Sequence, residues 1–368
     1  MTAIKKFLSK NTVLAVALAA AIITMIIVRP DAQYVGYFDF KTLTCLFCVL
    51  AVVNALNDIG LFTFLAKKII TVFHTKRKMI IALVWITLVG SMFIANDMAL
   101  LTFLPLGYMV LEKTNDKKNI AFTFIMQTVA ANLGGMLTPF GNPQNLYIYS
   151  HFNVPTGEFV SIMLLPFIAS VTAVTLCCFF IKNEEIEFVD DGERIEDKPR
   201  LVLYLALFVL AIVIVFNIIP YVTGLLVIIP VLLFADRDAL KKTDYGLLMT
   251  FAAFFVFSGN LSRVDAVREL FSFILEQNTL LVSAISCQFI SNVPTAVLLS
   301  QFTDNYRELL MGVNIGGTGT LISSLASLIT FREFQKRNPG NTGKYIKLFT
   351  IINFAFLIGL LIFCELIK

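Results

Sequence analysis

Two stretches decide how this chain folds: NLGGMLTPFGNPQNL at 132–146 and NIGGTGTLISSLASL at 314–328. They align without a gap and share Asn132/Asn314, Gly134/Gly316, Gly135/Gly317, Thr138/Thr320 and Leu146/Leu328. Gly141/Ser323, Asn142/Ser324 and Asn145/Ser327 add small polar matches. Each stretch interrupts a long apolar run, 119–150 in one case and 309–330 in the other. No continuous helix tolerates paired glycines followed by Thr138-Pro139-Phe140-Gly141-Asn142-Pro143, so both runs read as broken spans. Upstream, FIANDMALLTFLPL (93–106) corresponds to FISNVPTAVLLSQF (289–302), which gives each half an interrupted hairpin ahead of its broken span.

The surroundings of these breaks are hydrocarbon-like. Apolar residues make up 58% of the 368, charged residues 15%, and mean hydropathy is +0.82. An average soluble protein is about 45–50% apolar and about 25% charged. Runs of apolar residues separated by short charged loops indicate an all-α polytopic membrane protein, whereas a β-barrel would show alternation in ten-residue segments. Disorder, a collagen, a disulfide scaffold and a nucleic-acid binder are excluded on the same grounds. Of the six cysteines, Cys45 and Cys48 form a lone CxxC and Cys177-Cys178 are adjacent. No His or acid lies near them, so they read as small packing residues.

The basic residues set the sides. All Lys and Arg fall into clusters at 5–10, 67–78, 113–118, 182–200, 237–242, 332–337 and 344–347, except Arg29, Lys41, Arg263, Arg268, Arg307 and Lys368. With the clusters cytoplasmic, 11–28 runs out as a retained first span, because Arg29-Pro30-Asp31 offers no cleavage site. Residues 42–57 return, and 59–75 form a cytoplasmic surface helix with Asp58 as its expected N-cap. Residues 79–112 must leave and return on one side. Two full spans would need roughly 40 residues plus a turn, so a re-entrant hairpin with its tip at Ala95-Asn96-Asp97 fits better than a pair of spans.

Residues 119–150 go out as the first broken span and 158–181 come back. The acid-rich segment 182–200 is then a linker between repeats 1–181 and 201–368. In the second repeat 201–217 go out, 223–235 in and 246–259 out, with an outer surface helix at 260–276. Hairpin 279–303 breaks at Ser291-Asn292-Val293-Pro294-Thr295, the second broken span follows, and 344–366 close the chain. About nine spans plus two re-entrant hairpins result, in two inverted-topology repeats with broken helices at the midplane. The N-terminus is expected in the cytoplasm of a cell-membrane protein and the C-terminus outside. Inverted repeats with discontinuous helices are the architecture of secondary transporters.

A non-helical backbone at membrane depth survives only when buried in protein or lining a wet cavity. Half-helix N-termini attract anionic groups, and free carbonyls with Asn or Thr oxygens suit a dehydrated Na⁺. Candidate binding residues are therefore Asn96, Asp97, Asn132, Gly134, Gly135, Thr138, Pro139, Gly141, Asn142 and Asn145 in the first repeat. In the second they are Ser291, Asn292, Thr295, Asn314, Gly316, Gly317, Thr318 and Thr320. Na⁺ is placed at Asn96, Asp97 and Asn132 and at Asn292 and Asn314. Helix–helix packing is the other role open to these Gly and Asn residues.

Asp97 is a functional candidate because an acid at mid-membrane is costly. Burial disfavours its charged form and a bound cation restores it, so it could exchange a proton for a cation. Its alternative is to cap the second hairpin arm. His74 and His151 read as solvated. Arg263, Asp265, Arg268 and Glu269 read as the wet face of the outer helix rather than a gate.

With these motifs in place, the chain resembles the ion transporter superfamily, in particular the citrate-transporter-like permeases. That group includes the divalent anion/sodium symporters and the arsenite-efflux and sodium/proton-antiporter branch. In the dicarboxylate symporters each tip carries Ser-Asn-Thr, to which Ser291-Asn292-Val293-Pro294-Thr295 is similar with Thr displaced. Ala95-Asn96-Asp97 departs from that pattern and looks like the Asn-Asp of the arsenite-efflux-like branch. Gly141-Asn142-Pro143-Gln144-Asn145 looks like the Gly-x-Pro-x-Asn stretch of many members.

The resemblance implies a scaffold that can form a homodimer and a transport domain that moves elevator-fashion. The expected function is secondary active transport of a small anion, a carboxylate or oxyanion, coupled to Na⁺ or H⁺. A sodium/proton antiporter or a metalloid efflux permease using Asp97 is the alternative. No cofactor is expected beyond the coupling ion, and the expected partners are the solute and the bilayer. An intramembrane enzyme would need a nucleophile–base pair or paired aspartates in the bilayer. No P-loop is present.

Overall fold

The computed structural model describes residues 12–185 and 197–368. The lysines at 5, 6 and 10 and most of the 182–200 linker lie outside the described residues. Within them the regular structure is helical: α1 Thr12–Ile27, α2 Phe40–Asp58, α3 Leu61–Ile70, α4 Lys76–Ile94, α5 Asn96–Lys113, α6 Ile120–Gly134, α7 Pro143–His151, α8 Thr156–Cys178 and α9 Lys198–Val215. There follow α10 Val222–Ala235, α11 Arg237–Lys242, α12 Tyr245–Ser262, α13 Asp265–Gln277, α14 Thr279–Ile290, α15 Asn292–Leu299, α16 Tyr306–Ile315, α17 Leu325–Arg337 and α18 Thr342–Ile367. Seven segments are long and apolar enough to cross a membrane unaided, namely α2, α4, 117–137, α8, α9, α12 and 339–367, and α1 and α10 are shorter apolar helices. The second broken run is absent from both groups because its halves, α16 and α17, are short and polar.

Both expected interruptions are chain reversals. A Cβ on Gly90 of α4 would fall on the Phe103 ring of α5, although a straight continuation would hold the two about 20 Å apart. The rings of Phe271 and Phe302 stack at 5.0 Å, so the chain goes out through α14 and returns through α15. The first surface helix is shorter than expected. Gly60 in the left-handed region (φ 74°) starts α3, while Asp58 ends α2 and pairs with Lys242 at 2.7 Å rather than capping. The second surface helix, α13, starts after three residues, 260–262, that belong to α12, and it meets α14 at 120°.

Two long helices tie the hairpins to opposite faces. Near the start of α18, Tyr345 stacks on Phe334 at 4.3 Å, and neighbouring Arg337 lies over the Tyr108 ring near the end of α5. At its other end Glu365 accepts from Asn278, just before α14, and Lys368 pairs with Glu308. With 26 residues α18 is about 39 Å long. Helix α8, 23 residues and about 34 Å long, runs between the same faces, from Glu158 beside Arg307 to just short of Ile181, whose carbonyl accepts from Arg77. The base of the first hairpin therefore shares a face with Lys76, Lys242 and Arg337. The base of the second shares the other face with Asp31, Glu158, Arg307 and Lys368.

Candidate functional site

The two tips have one backbone conformation. Ala95 sits at φ 60°, ψ 148° and Ser291 at φ 73°, ψ 157°. Each is followed by an Asn whose Oδ1 accepts from the next N–H, Asp97 N in one tip and Val293 N in the other, both at 2.9 Å. The tips dock on equivalent points of the broken helices: Asn96 N donates to Gly141 O at 3.2 Å and Asn292 N to Ser323 O at 2.9 Å. Thr138 Oγ1 donates to Met92 O and Thr320 Oγ1 to Gln288 O. Residues 141/323 and 138/320 are the pairs matched in sequence, and 92/288 extend the hairpin alignment by one residue.

The broken helices bind each other just as reciprocally. Asn132 Nδ2 donates to Ser324 Oγ (3.0 Å) and Gly317 O (3.1 Å). Asn142 Nδ2 donates to Asn314 Oδ1 (3.2 Å), and Asn314 Nδ2 to Asn145 Oδ1 (2.6 Å). Asn145 Nδ2 reaches back to Gly135 O and Thr138 O. Asn96 Nδ2 joins the set through Asn132 Oδ1 at 3.0 Å. Inside a bilayer these amides must find partners in the protein, and here they find them in one another.

The paired glycines divide their work. Cβ atoms on Gly134 and Gly316 would strike the first hairpin arms, at Leu88 and Ser91 in one case and at Ala284 and Cys287 in the other. Those two glycines are packing residues. Gly135 would strike Asn142 and Gly141, and Gly317 would stand 3.1 Å from Asn292 Nδ2, so the second glycine of each pair gives room to the polar centre. Thr295 and Thr318 donate within their own turns, to Ser291 O and Ile315 O, and Pro139 is buried.

A cavity of about 80 Å³ lies in front of this network. Asn96, Asp97, Ser291 and Asn292 line it, joined by Pro143, Gln144 and Leu325. The first turns of α5, α7, α15 and α17 thus meet at one space. Its lining extends to Asp244, Thr250 and Arg332. Asp244 and Arg332 are exposed, on the face of Lys242 and Arg337. Toward the other face α7 carries buried Tyr147, bonded to Ser300 Oγ at 2.7 Å and packed on Phe255 and on exposed His151.

Asp97 does not cap its helix: Ala95 holds the N-cap position without a side-chain bond, and Asp97 Oδ1 is buried with no partner among the described residues. The amide oxygens expected to hold cations all accept hydrogen bonds here: Asn96 Oδ1 from Asp97 N, Asn132 Oδ1 from Asn96, Asn292 Oδ1 from Val293 N and Asn314 Oδ1 from Asn142 and Gln144. Asp97 Oδ1, Asn142 Oδ1 and Gln144 Oε1 are buried without a hydrogen-bond partner among the described residues, and Asp97 and Gln144 both line the cavity; oxygens of this kind suit a hard cation.

Gln144 and Arg332 were missed in the sequence. Gln144 stands inside the quoted motif, and Arg332 lies seven residues after Leu325 on the same helical face. Arg263 and Asp265 take up surface roles: Arg263 pairs with Asp31 at 2.7 Å and Asp265 with Arg268 at 3.0 Å. His74 is exposed, and the six cysteines are free, with all but Cys177 buried.

The model of one family, described as citrate transporter, matches residues 3–306. An uncharacterized transporter of Methanocaldococcus jannaschii is 32% identical over 333 residues, 89% of this chain and 90% of the relative. The inner membrane protein YbiR of Escherichia coli is 27% identical, covering 81% of each chain. A 46 kDa membrane protein of Mycobacterium leprae is 24% identical over 87% of this chain and 85% of its own. By that match and that identity, carried on a helical membrane fold with a polar centre between broken helices, the chain belongs to the citrate transporter family of membrane transporters.

Proposed function

We propose that the chain is a secondary active transporter for a small anion, a carboxylate or oxyanion, coupled to Na⁺ or H⁺. The observation that carries the reading is the meeting of four helix N-termini, those of α5, α7, α15 and α17, on the cavity that also holds Asp97. Each N-terminus contributes roughly half a positive charge, so the space favours an anion, and Arg332 adds a cation at its rim. Asp97, with its free oxygen, is the group that takes up the coupling proton or joins Asn142 and Gln144 around Na⁺.

The two repeats are read as inverted in the membrane, with re-entrant hairpins opening to opposite sides. The equivalent tip contacts and the opposite bases of the hairpins support this. Alternating access then follows if α4–α7 and α14–α17 move together as an elevator against α1–α2 and α9–α12. The cavity lining that reaches Asp244 and Arg332 corresponds to the state open to the lysine-rich face, which the charge pattern assigns to the cytoplasm. Sodium/proton exchange or metalloid efflux is the second reading, favoured by Asp97 being an acid with no cationic hydrogen-bond partner.

Proteoliposomes loaded with carboxylates or oxyanions test the choice. Saturable counterflow of one of them, driven by an imposed Na⁺ or H⁺ gradient, is expected. Asp97→Asn should keep counterflow and lose gradient-driven uptake. Wild-type and Asp97→Asn protein sharing one pH and Na⁺ profile would remove Asp97 from coupling. Gradient-dissipating Na⁺/H⁺ exchange without anion flux would select the second reading.

A further inference from the structure

A second, larger cavity lies on the other side of hairpin arm α4 and shares no lining residue with the polar one. It measures about 680 Å³ and lies between surface helix α3, hairpin arm α4 and the inner part of α9. Along α4 its wall is formed at residues 78, 81, 82, 85, 86, 89, 90, 93 and 94, the spacing of one helical face. That stripe starts at Lys78 on the lysine-rich face and ends beside the hairpin tip. From residue 78 to residue 94 the helix rises about 24 Å, enough to cross one leaflet of a hydrocarbon core about 30 Å thick. Leu65 and Ile69 of α3, Phe103 of α5, and Leu205 and Phe208 of α9 close the sides.

The walls are apolar throughout, and Lys78 is their one charged member. Its neighbours are engaged: Lys76 pairs with Glu184, and Arg77 bonds Ile181 O and lies over the Phe179 ring. Lys78 is exposed and has no hydrogen-bond or ion-pair partner among the described residues. The groove therefore presents a chain-shaped apolar slot with a single ammonium at the level of the membrane surface.

We propose that this groove is a binding site for one anionic phospholipid, its acyl chain along α4 and its phosphate on Lys78. The occupant belongs to the leaflet on the lysine-rich face. It separates the hairpin arm from α9, so it also fills the gap across which α4 would slide. A protein ligand is disfavoured because the slot is buried in the hydrocarbon layer and offers no backbone partner.

The test uses the full chain, purified and stripped of lipid in detergent. Melting temperature is followed against added phosphatidylglycerol and against phosphatidylcholine of the same acyl chains, and native mass spectrometry counts the lipid retained. Phosphatidylglycerol should half-saturate at about one-fifth the concentration of phosphatidylcholine, the preference one surface lysine provides. Lys78→Gln should abolish that preference while leaving the phosphatidylcholine curve unchanged. Lys241→Gln, which removes an exposed charge away from the groove, one paired with Asp238, should keep it. Val89→Trp, which fills the slot from its exposed rim, should lose the retained lipid of either headgroup. Equal response to both lipids in the wild type, or a preference that survives Lys78→Gln, overturns the proposal.

Discussion

Asparagine side chains carry the polar centre, and the glycine beside each sets how closely they can meet. Gly135 faces Asn142 Oδ1 and the Gly141 carbonyl, neither of which can retreat without releasing the Asn142–Asn132 or Asn96–Gly141 bond. Gly317 faces the Asn292 amide at 3.1 Å and the Asn314 carbonyl at 3.2 Å, whereas the contacts at Gly135 are 2.3–2.8 Å. The two glycines are equivalent in sequence but not in cost. Gly135→Ala should lower stability by about 1–3 kcal/mol, the range for overpacking a filled interior, and should impair transport. Gly317→Ala should cost less than half as much, because contacts at 3.1 and 3.2 Å are relieved by shifts of a few tenths of an ångström. Thermal melts of the two purified variants check the order, and equal losses would contradict the asymmetry.

At the level of helices, the tips store strain. Ala95 and Ser291 adopt a backbone region that a side chain disfavours by about 1–3 kcal/mol, held by tip N–H bonds to Gly141 O and Ser323 O. Ser291 also donates to Ser323 O, so removing its side chain removes a contact. Ala95 makes none, and Ala95→Gly isolates the strain. It should raise the melting temperature, by up to the equivalent of about 2 kcal/mol after the added freedom of the unfolded chain is subtracted. A lower melting temperature would mean that the tip is unstrained.

These elements also mark what a sequence can reveal. Asn96, Asn132, Asn292 and Asn314 were legible because an amide in an apolar run is expensive, and the breaks because Gly and Pro cannot continue a helix. The pairing of Gly141 with Ser323 was legible from alignment alone. Asp244 was not, because it looks like an ordinary helix cap, which it also is: its carboxylate accepts from Leu247 N at 2.9 Å. Arg332 was hidden in a basic cluster that had already served to set the sides. Both reach the cavity only through the packing of α12 and α17 beside the tips, a long-range fact with no local signature. Asp58 was misread as a cap because Gly60, two residues on, breaks the chain first.

Across the whole molecule the decisive relation is the opposition of the two faces. Helices α8 and α18 each carry contacts of the first hairpin's base at one end and of the second's at the other. Asp265 and Lys368 therefore lie at one face of the helical bundle, and Lys182 and Lys242 at the other, and the proposed topology puts these faces on opposite sides of the membrane. The proposed orientation, with the basic clusters inside, puts the second pair in the cytoplasm. Five native cysteines are buried and Cys177 is half-buried, so single introduced cysteines can be read above a low background. In intact cells a membrane-impermeant maleimide should label Asp265→Cys and Lys368→Cys, and should reach Lys182→Cys and Lys242→Cys only after permeabilisation. The reverse pattern would keep the fold and overturn the orientation. Labelling that splits either pair would break the inversion itself, and with it the reason for expecting one cavity to be served from both sides.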